Sequence, residues 1–283
     1  MFRHKELKVQ AEDATLPSSR KELFKMIVKD DFYLLAELSV LGFLFSLPLG
    51  LAFAAQLFLL GRIGGGDASK VFSLCFYAGL IEVPLFGVRY IGRYALFGVM
   101  KKRVHNEAGQ IKATFFDVMK KGAGRGFAVG CILGVVVFLW QIASVFVAVL
   151  NDDPVLRGVG LGAAALVFLL VFAASESFLA VDNYYVLPFR GSYKNGFSFA
   201  LAGFPWATVY FFVSMGVPLL LTWLSAYSLI AVAAIWALWF DAVTVLAVTL
   251  YSHRQFDKYI NSIYYIDYIN KGLSVKEKEK DNG

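Results

Sequence analysis

The chain has 283 residues, 58% of them hydrophobic and only 17% charged, with a mean hydropathy of +0.62. An ordinary soluble domain carries about 25% charged residues, so this composition excludes a protein that must cover its own surface with polar groups in water. The net charge is +6, but the basic residues lie between apolar runs, where anionic headgroups would meet them, which argues against nucleic-acid binding.

In chain order, residues 1–31 are polar and mixed in charge and precede an apolar run too long for the core of a cleaved signal peptide. They read as a cytoplasmic segment, followed by a retained first span at Leu34 to Leu60. A spanning helix needs about 20 mostly apolar residues. Gly64-Gly65-Gly66-Asp67 breaks the pattern, and a second span is expected from about Val71 to Ile91, continuing less apolar to Met100. The third runs from Phe127 to Leu150 and the fourth from Val159 to Leu179, parted by Asn151-Asp152-Asp153-Pro154. The stretch Phe204 to Tyr251 is split near Ser225–Ser228 into spans five and six. QFDKYINSIYYIDYINKGL reads as an interfacial helix, and VKEKEKDNG as a disordered tail.

The expected architecture is therefore all-α: a polytopic membrane protein of about six helices, with residues 32–253 as the membrane domain and 254–283 as a cytoplasmic end. Lys and Arg resist translocation. Residues 1–31 carry seven of them, 101–125 seven more, the segment after span four has Arg190 and Lys194, and the chain from Arg254 onward holds six. The opposite connections hold only Arg62, Lys70 and Arg157. This asymmetry places both termini in the cytoplasm. LFKMIVKDDFYLLAEL, TFFDVMKKGAGRGFAVG and YYVLPFRGSYKNGFSFALAG each lead into a pair of spans. They read either as three repeated hairpins, each preceded by an amphipathic interfacial helix, or as the ordinary look of a basic lead-in to a membrane.

Charges at membrane depth cost roughly 2.5–3.5 kcal/mol at a helix centre and must face protein or water. Glu82 and Asp241 fall near span centres, Glu176 towards the cytoplasmic end of span four, and Arg89 and Arg93 in the cytoplasmic half of the second helix. Positions 82, 86, 89 and 93 share a helical face, so Glu82, Arg89 and Arg93 are expected to form a polar stripe. Pro84 is expected to kink the helix and free a carbonyl near Glu82. Two readings stay open: a polar site or ion path inside the bundle, or an internal ion-pair network that locks helices together. Gly122, Gly126, Gly130 and Gly134 repeat every four residues and line one face. This small-xxx-small spacing lets a neighbouring backbone approach. The expected neighbour is span four, which begins Gly158-Val159-Gly160-Leu161-Gly162, or else another subunit.

Other signals are negative. His4, His105 and His253 are scattered without metal-ligand spacing, and Cys75 and Cys131 sit near opposite membrane faces. There is no HExxH, no G-x-S-x-G elbow, no phosphate loop in GRIGGGDASK and no dinucleotide fingerprint in GAGRG. No cofactor, metal or enzymatic activity is expected.

VPLFGVRYIGRYALFGVMKKRV (83–104), TFFDVMKKGAGRGFAVG (114–130) and LPFRGSYKNGFSFALAG (187–203) resemble the YesL-like family of bacterial integral membrane proteins, over roughly residues 20–260. Where that family carries Gly-Pro near the end of span two, this chain has Gly87-Val88. The resemblance implies a bacterial cell-membrane protein that serves as an accessory component of carbohydrate ABC importers, with permease and ATPase subunits as partners. It implies no catalytic residues. The alternatives are a permease of ABC type, whose ATPase-docking loop would be approximated only by Glu107-Ala108-Gly109, and a secondary transporter using Glu82 or Asp241 for proton coupling.

Overall fold

The computed structural model describes residues 6–7, 16–63, 67–107, 109–150, 154–212 and 235–274. The expected breaker residues Gly64–Gly66 and Asn151–Asp153, the proposed split near Ser225–Ser228, His4 and the charged tail lie outside the described residues.

The fold is all-α. Helix α1 (Arg20–Asp30) starts where Ser19 Oγ accepts from the Glu22 amide at 3.2 Å, while the Glu22 carboxylate turns back onto Ser18. This satisfies donors that a helix N-terminus leaves open. A break at Asp31 separates it from α2 (Phe32–Ile63). Helix α3 (Ala68–Val104), capped by Asp67, runs unbroken through Pro84. Helix α4 (Ile111–Leu150) and α5 (Pro154–Tyr184) follow. Then come α6 (Phe189–Ala202) and α7 (Phe204–Phe211), parted at Gly203, with Pro205 in the first turn of α7. The last long helix, α8 (Asp241–Phe256), is preceded by a π-helical turn, Trp236–Phe240, and followed by another, Asp257–Asn261. A two-residue antiparallel ladder joins Glu6–Leu7 to Gly109–Gln110.

Among the described residues four helices, α2 to α5, are long and apolar enough to cross a membrane. Their apolar residues largely point outward: Leu44, Leu51, Leu57, Phe58, Leu139, Leu166 and Val167 are all exposed. Water would penalise such a surface at about 25 cal/mol per Å²; hydrocarbon would not, which explains why these faces survive unpaired. The tightly packed core sits towards one end. In α3 every residue from Gly92 to Met100 is buried, together with Leu35, Leu38, Phe115, Phe178, Leu179, Leu246 and Phe256 from other helices. This end also carries Lys101, Lys102, Arg103, Lys112 and Arg125, and is called the basic end below.

Three expectations change here. The lead-in 114–130 is not a separate interfacial helix: it is the first part of α4, continuous to Leu150. The C-terminal stretch is not one helix either. The helix ends at Tyr264, Tyr265 is non-helical, a single 3-10 turn follows at Ile266–Tyr268, and Asn270 and Gly272 adopt positive φ. There the chain folds back, and the Asn270 amide donates to Asp257 Oδ2 at 3.1 Å. The glycine stripe of α4 packs against α3 rather than α5. A Cβ at Gly126 would lie 2.8 Å from the Tyr90 carbonyl oxygen, one at Gly130 2.8 Å from Gly87 Cα, and one at Gly134 2.9 Å from Val83 Cα; at Gly122 it would collide with the Tyr94 ring. Gly158 and Gly162 of α5 face open space.

A single apolar cluster runs through the boundaries read at 31/32 and 253/254. Leu23 and Ile27 of α1 and Leu273 of the C-terminal fold-back belong to it. Arg20 of α1 is ion-paired with Asp257 and donates to Asn270 Oδ1 at 2.8 Å, pinning the two chain ends together.

Candidate functional site

Arg93 sits at the centre of the bundle, 4% exposed, where α3, α5, α7 and α8 converge. Its Nε donates to Glu176 Oε1 at 2.7 Å, Nη1 to Asp241 Oδ1 at 2.6 Å, and Nη2 to the Tyr210 hydroxyl at 2.5 Å. Tyr90, one turn earlier on α3, donates its hydroxyl to the same Glu176 oxygen at 3.1 Å. Glu176 and Asp241 are as buried as the arginine. The planar guanidinium fork lets one residue engage three helices at once, and removal from water strengthens every contact.

The backbone around Asp241 is arranged for this. The π-helical turn Trp236–Phe240 directly precedes it, and such wide turns are frequent at functional sites. The Ala242 amide donates to Ser39 Oγ of α2 at 3.0 Å. Gly42, a turn further along α2, has no side chain where Asp241 comes close: a Cβ there would lie 2.6 Å from Oδ2.

The expected polar stripe divides. Glu82 lies 11 residues from Arg93, roughly 16 Å along the helix at 1.5 Å per residue, and belongs to a second buried group. There Gln141 Nε2 of α4 donates to Glu82 Oε2 at 2.7 Å, and Gln56 Nε2 of α2 donates to Gln141 Oε1 at 3.0 Å. Arg89 is half-buried and makes no ion pair or hydrogen bond among the described residues, so it joins neither group. Thus Arg93, Glu176 and Asp241 come together, while Glu82 and Arg89 stand apart.

Two further clusters occupy the basic end, and neither was legible in the sequence. Asp182, at the end of α5, accepts from Arg125 Nη1 at 2.7 Å, Ser192 Oγ at 2.6 Å and the Tyr94 hydroxyl at 2.8 Å. Arg125 also donates to the Leu187 carbonyl at 3.0 Å. An acid at a span end reads as ordinary interfacial polarity, so nothing marked Asp182 in advance. The histidines, scattered along the chain, partly meet: the rings of His105 and His253 lie 5.5 Å apart, beside Tyr184. Burial, with His253 and the Lys271 ammonium nearby, pushes His105 down to about 3, which keeps it neutral at physiological pH. Burial works against the charge of Glu107, but Lys271, 2.9 Å away, holds its carboxyl below the usual range. Cys75 and Cys131 are both free thiols, and no metal-ligand group occurs among the described residues.

The fold and site define a helical protein whose apolar outer faces suit lipid and whose interior holds a desolvated arginine-carboxylate cluster. Comparison with protein families, with curated proteins and with solved structures finds no match.

Proposed function

We propose that this chain is a non-enzymatic, multi-pass subunit of the bacterial cell membrane that associates with a carbohydrate ABC importer, contacting its permease and ATPase subunits through the basic end. The topology that goes with this reading has six spans in three hairpins, with both termini in the cytoplasm.

One observation carries the reading. The three segments with a YesL-like resemblance, remote in sequence, meet on Asp182: Tyr94 comes from the first, Arg125 from the second and Ser192 from the third, while the Leu187 carbonyl of the third accepts from Arg125. The resembling residues thus build one place in the fold. Beside it the first turns of α4 leave Lys112, Phe116, Lys120 and Lys121 exposed, Lys112 paired with Glu37 at 3.2 Å and Lys121 with Asp117 at 2.8 Å, a net basic surface with an aromatic anchor, suited to a partner of opposite charge. The test is affinity purification from membranes in mild detergent, with the wild-type chain and with Lys112, Lys120 and Lys121 changed to Glu. Importer permeases and an ATPase should accompany the wild type and be lost from the triple variant. Recovery of the wild-type chain without them rejects the assignment.

A second reading, a permease coupled to protons, draws on Glu82. Its Oε1 is buried without a hydrogen-bond partner among the described residues, and its Oε2 ends the Gln56–Gln141 chain. Proton-coupled uptake by the purified chain in liposomes, abolished by Glu82→Gln, would favour it over the first.

A further inference from the structure

A cavity of about 270 Å³ lies between α5, α6, α7 and α8. Phe172, Phe199, Trp206, Ala207 and Tyr251 are part of its wall. Glu176 lines it as well. Glu176 Oε1 is occupied by Arg93 and Tyr90, but Oε2 is fully buried and has no hydrogen-bond partner among the described residues. A buried carboxylate oxygen without a donor costs far more than a satisfied one, and among the described residues no other oxygen of the Arg93 cluster is both fully buried and unpartnered. The cluster unites one guanidinium with two carboxyl groups, Glu176 and Asp241, so by formal count it has one more acidic than basic group. Arg89, the next cation along α3, is not bonded to it.

We propose that this cavity is a binding site for a small hydrophobic primary ammonium ion, its apolar or aromatic body against Phe172, Phe199 and Trp206 and its N–H group donating to Glu176 Oε2. The aromatic wall suits both the body and the cation, since ring faces attract ammonium groups. A neutral alcohol of equal size could donate a hydrogen bond but would leave the excess charge uncompensated. A carboxylate of equal size would add to it. The site therefore selects by charge first and by shape second.

The test uses the full chain in lipid nanodiscs, with empty nanodiscs subtracting partition into lipid. The probes are 4-phenylbutylamine, protonated at pH 7, and the isosteric 4-phenylbutanol, followed by calorimetry and by Trp206-sensitive fluorescence. The amine should bind saturably and at least about tenfold tighter than the alcohol, the ratio expected of one charge-assisted hydrogen bond. Glu176→Gln should erase that preference. Ala207→Trp, which fills the cavity and leaves the carboxylate in place, should remove binding of both. Absence of saturable amine binding to the wild type, equal affinity for amine and alcohol, or a preference that survives either substitution would overturn the proposal. The assignment to an importer is independent, since it rests on the basic end and is read by co-purification.

Discussion

Arg93 shows why a buried charge is both a cost and a constraint. Taking its guanidinium from water is offset only because Glu176, Asp241 and Tyr210 all present oxygens within 2.7 Å. Removing the arginine strands two carboxylates. Arg93→Met is expected to destabilise the folded protein by about 3–5 kcal/mol, read as a lowered unfolding midpoint in detergent. Asp241→Asn keeps an oxygen for Nη1 and deletes one charge, so its loss should be smaller, under about 2 kcal/mol. If the two substitutions cost the same, the arginine is not the hub. His105 supplies a pH signature. Its folded value is near 3 against an ordinary 6.5, so between those values the unfolded chain binds the extra proton and the folded chain does not. Stability from this residue is complete above about pH 6.5 and declines as pH falls towards 3. His105→Leu should flatten that acid limb of the melting-temperature profile, and an unchanged slope would show that the ring is already charged in the folded state.

At the scale of elements, α3 and α4 form the tightest pair because glycines remove side chains from both surfaces: Gly122, Gly126, Gly130 and Gly134 on α4, Gly79, Gly87 and Gly98 on α3. Without a hydrophobic driving force between helices in lipid, such close backbone approach supplies the dispersion contacts that hold them. Gly130→Leu must push against the Phe86 carbonyl and Gly87 Cα, and is expected to cost about 1–3 kcal/mol or more. Gly162→Ala, facing open space, should be neutral. Thermal unfolding of the two variants side by side is the measurement, and equal losses would mean that the stripe does not face α3. The four-residue spacing was readable in advance, but the partner was not. Spacing defines a face, and both α3 and α5 offered glycines to meet it.

For the whole molecule, the outward Leu, Val and Phe faces of α2 to α5 suit lipid as solvent. The expressed chain should sediment with membranes and resist extraction by high salt or alkaline carbonate. Tags at both termini should stay unlabelled by impermeant reagents in intact cells and become labelled after permeabilisation. Labelling of either end from outside would overturn the proposed cytoplasmic placement of the basic end.

The sequence by itself determined the helical class and the apolar stretches at the heart of the first four long helices, because length and apolar content alone mark a segment able to span a bilayer; it missed that α4 begins at Ile111 and not at Phe127. It also singled out Arg93, Glu176 and Asp241, since a charge in an apolar run is conspicuous wherever the chain goes. Only the tertiary structure decided which of those charges meet. Arg93 and Glu82 share a helix, yet their partners come from different helices at different depths, and Asp241 reaches Arg93 across 148 positions of chain. Asp182 and the His105–His253 pair were likewise invisible, because what matters about them is the set of remote donors and rings that packing brings within bonding range. Periodicity reports the face a residue occupies. It carries no information on which other face will be pressed against it.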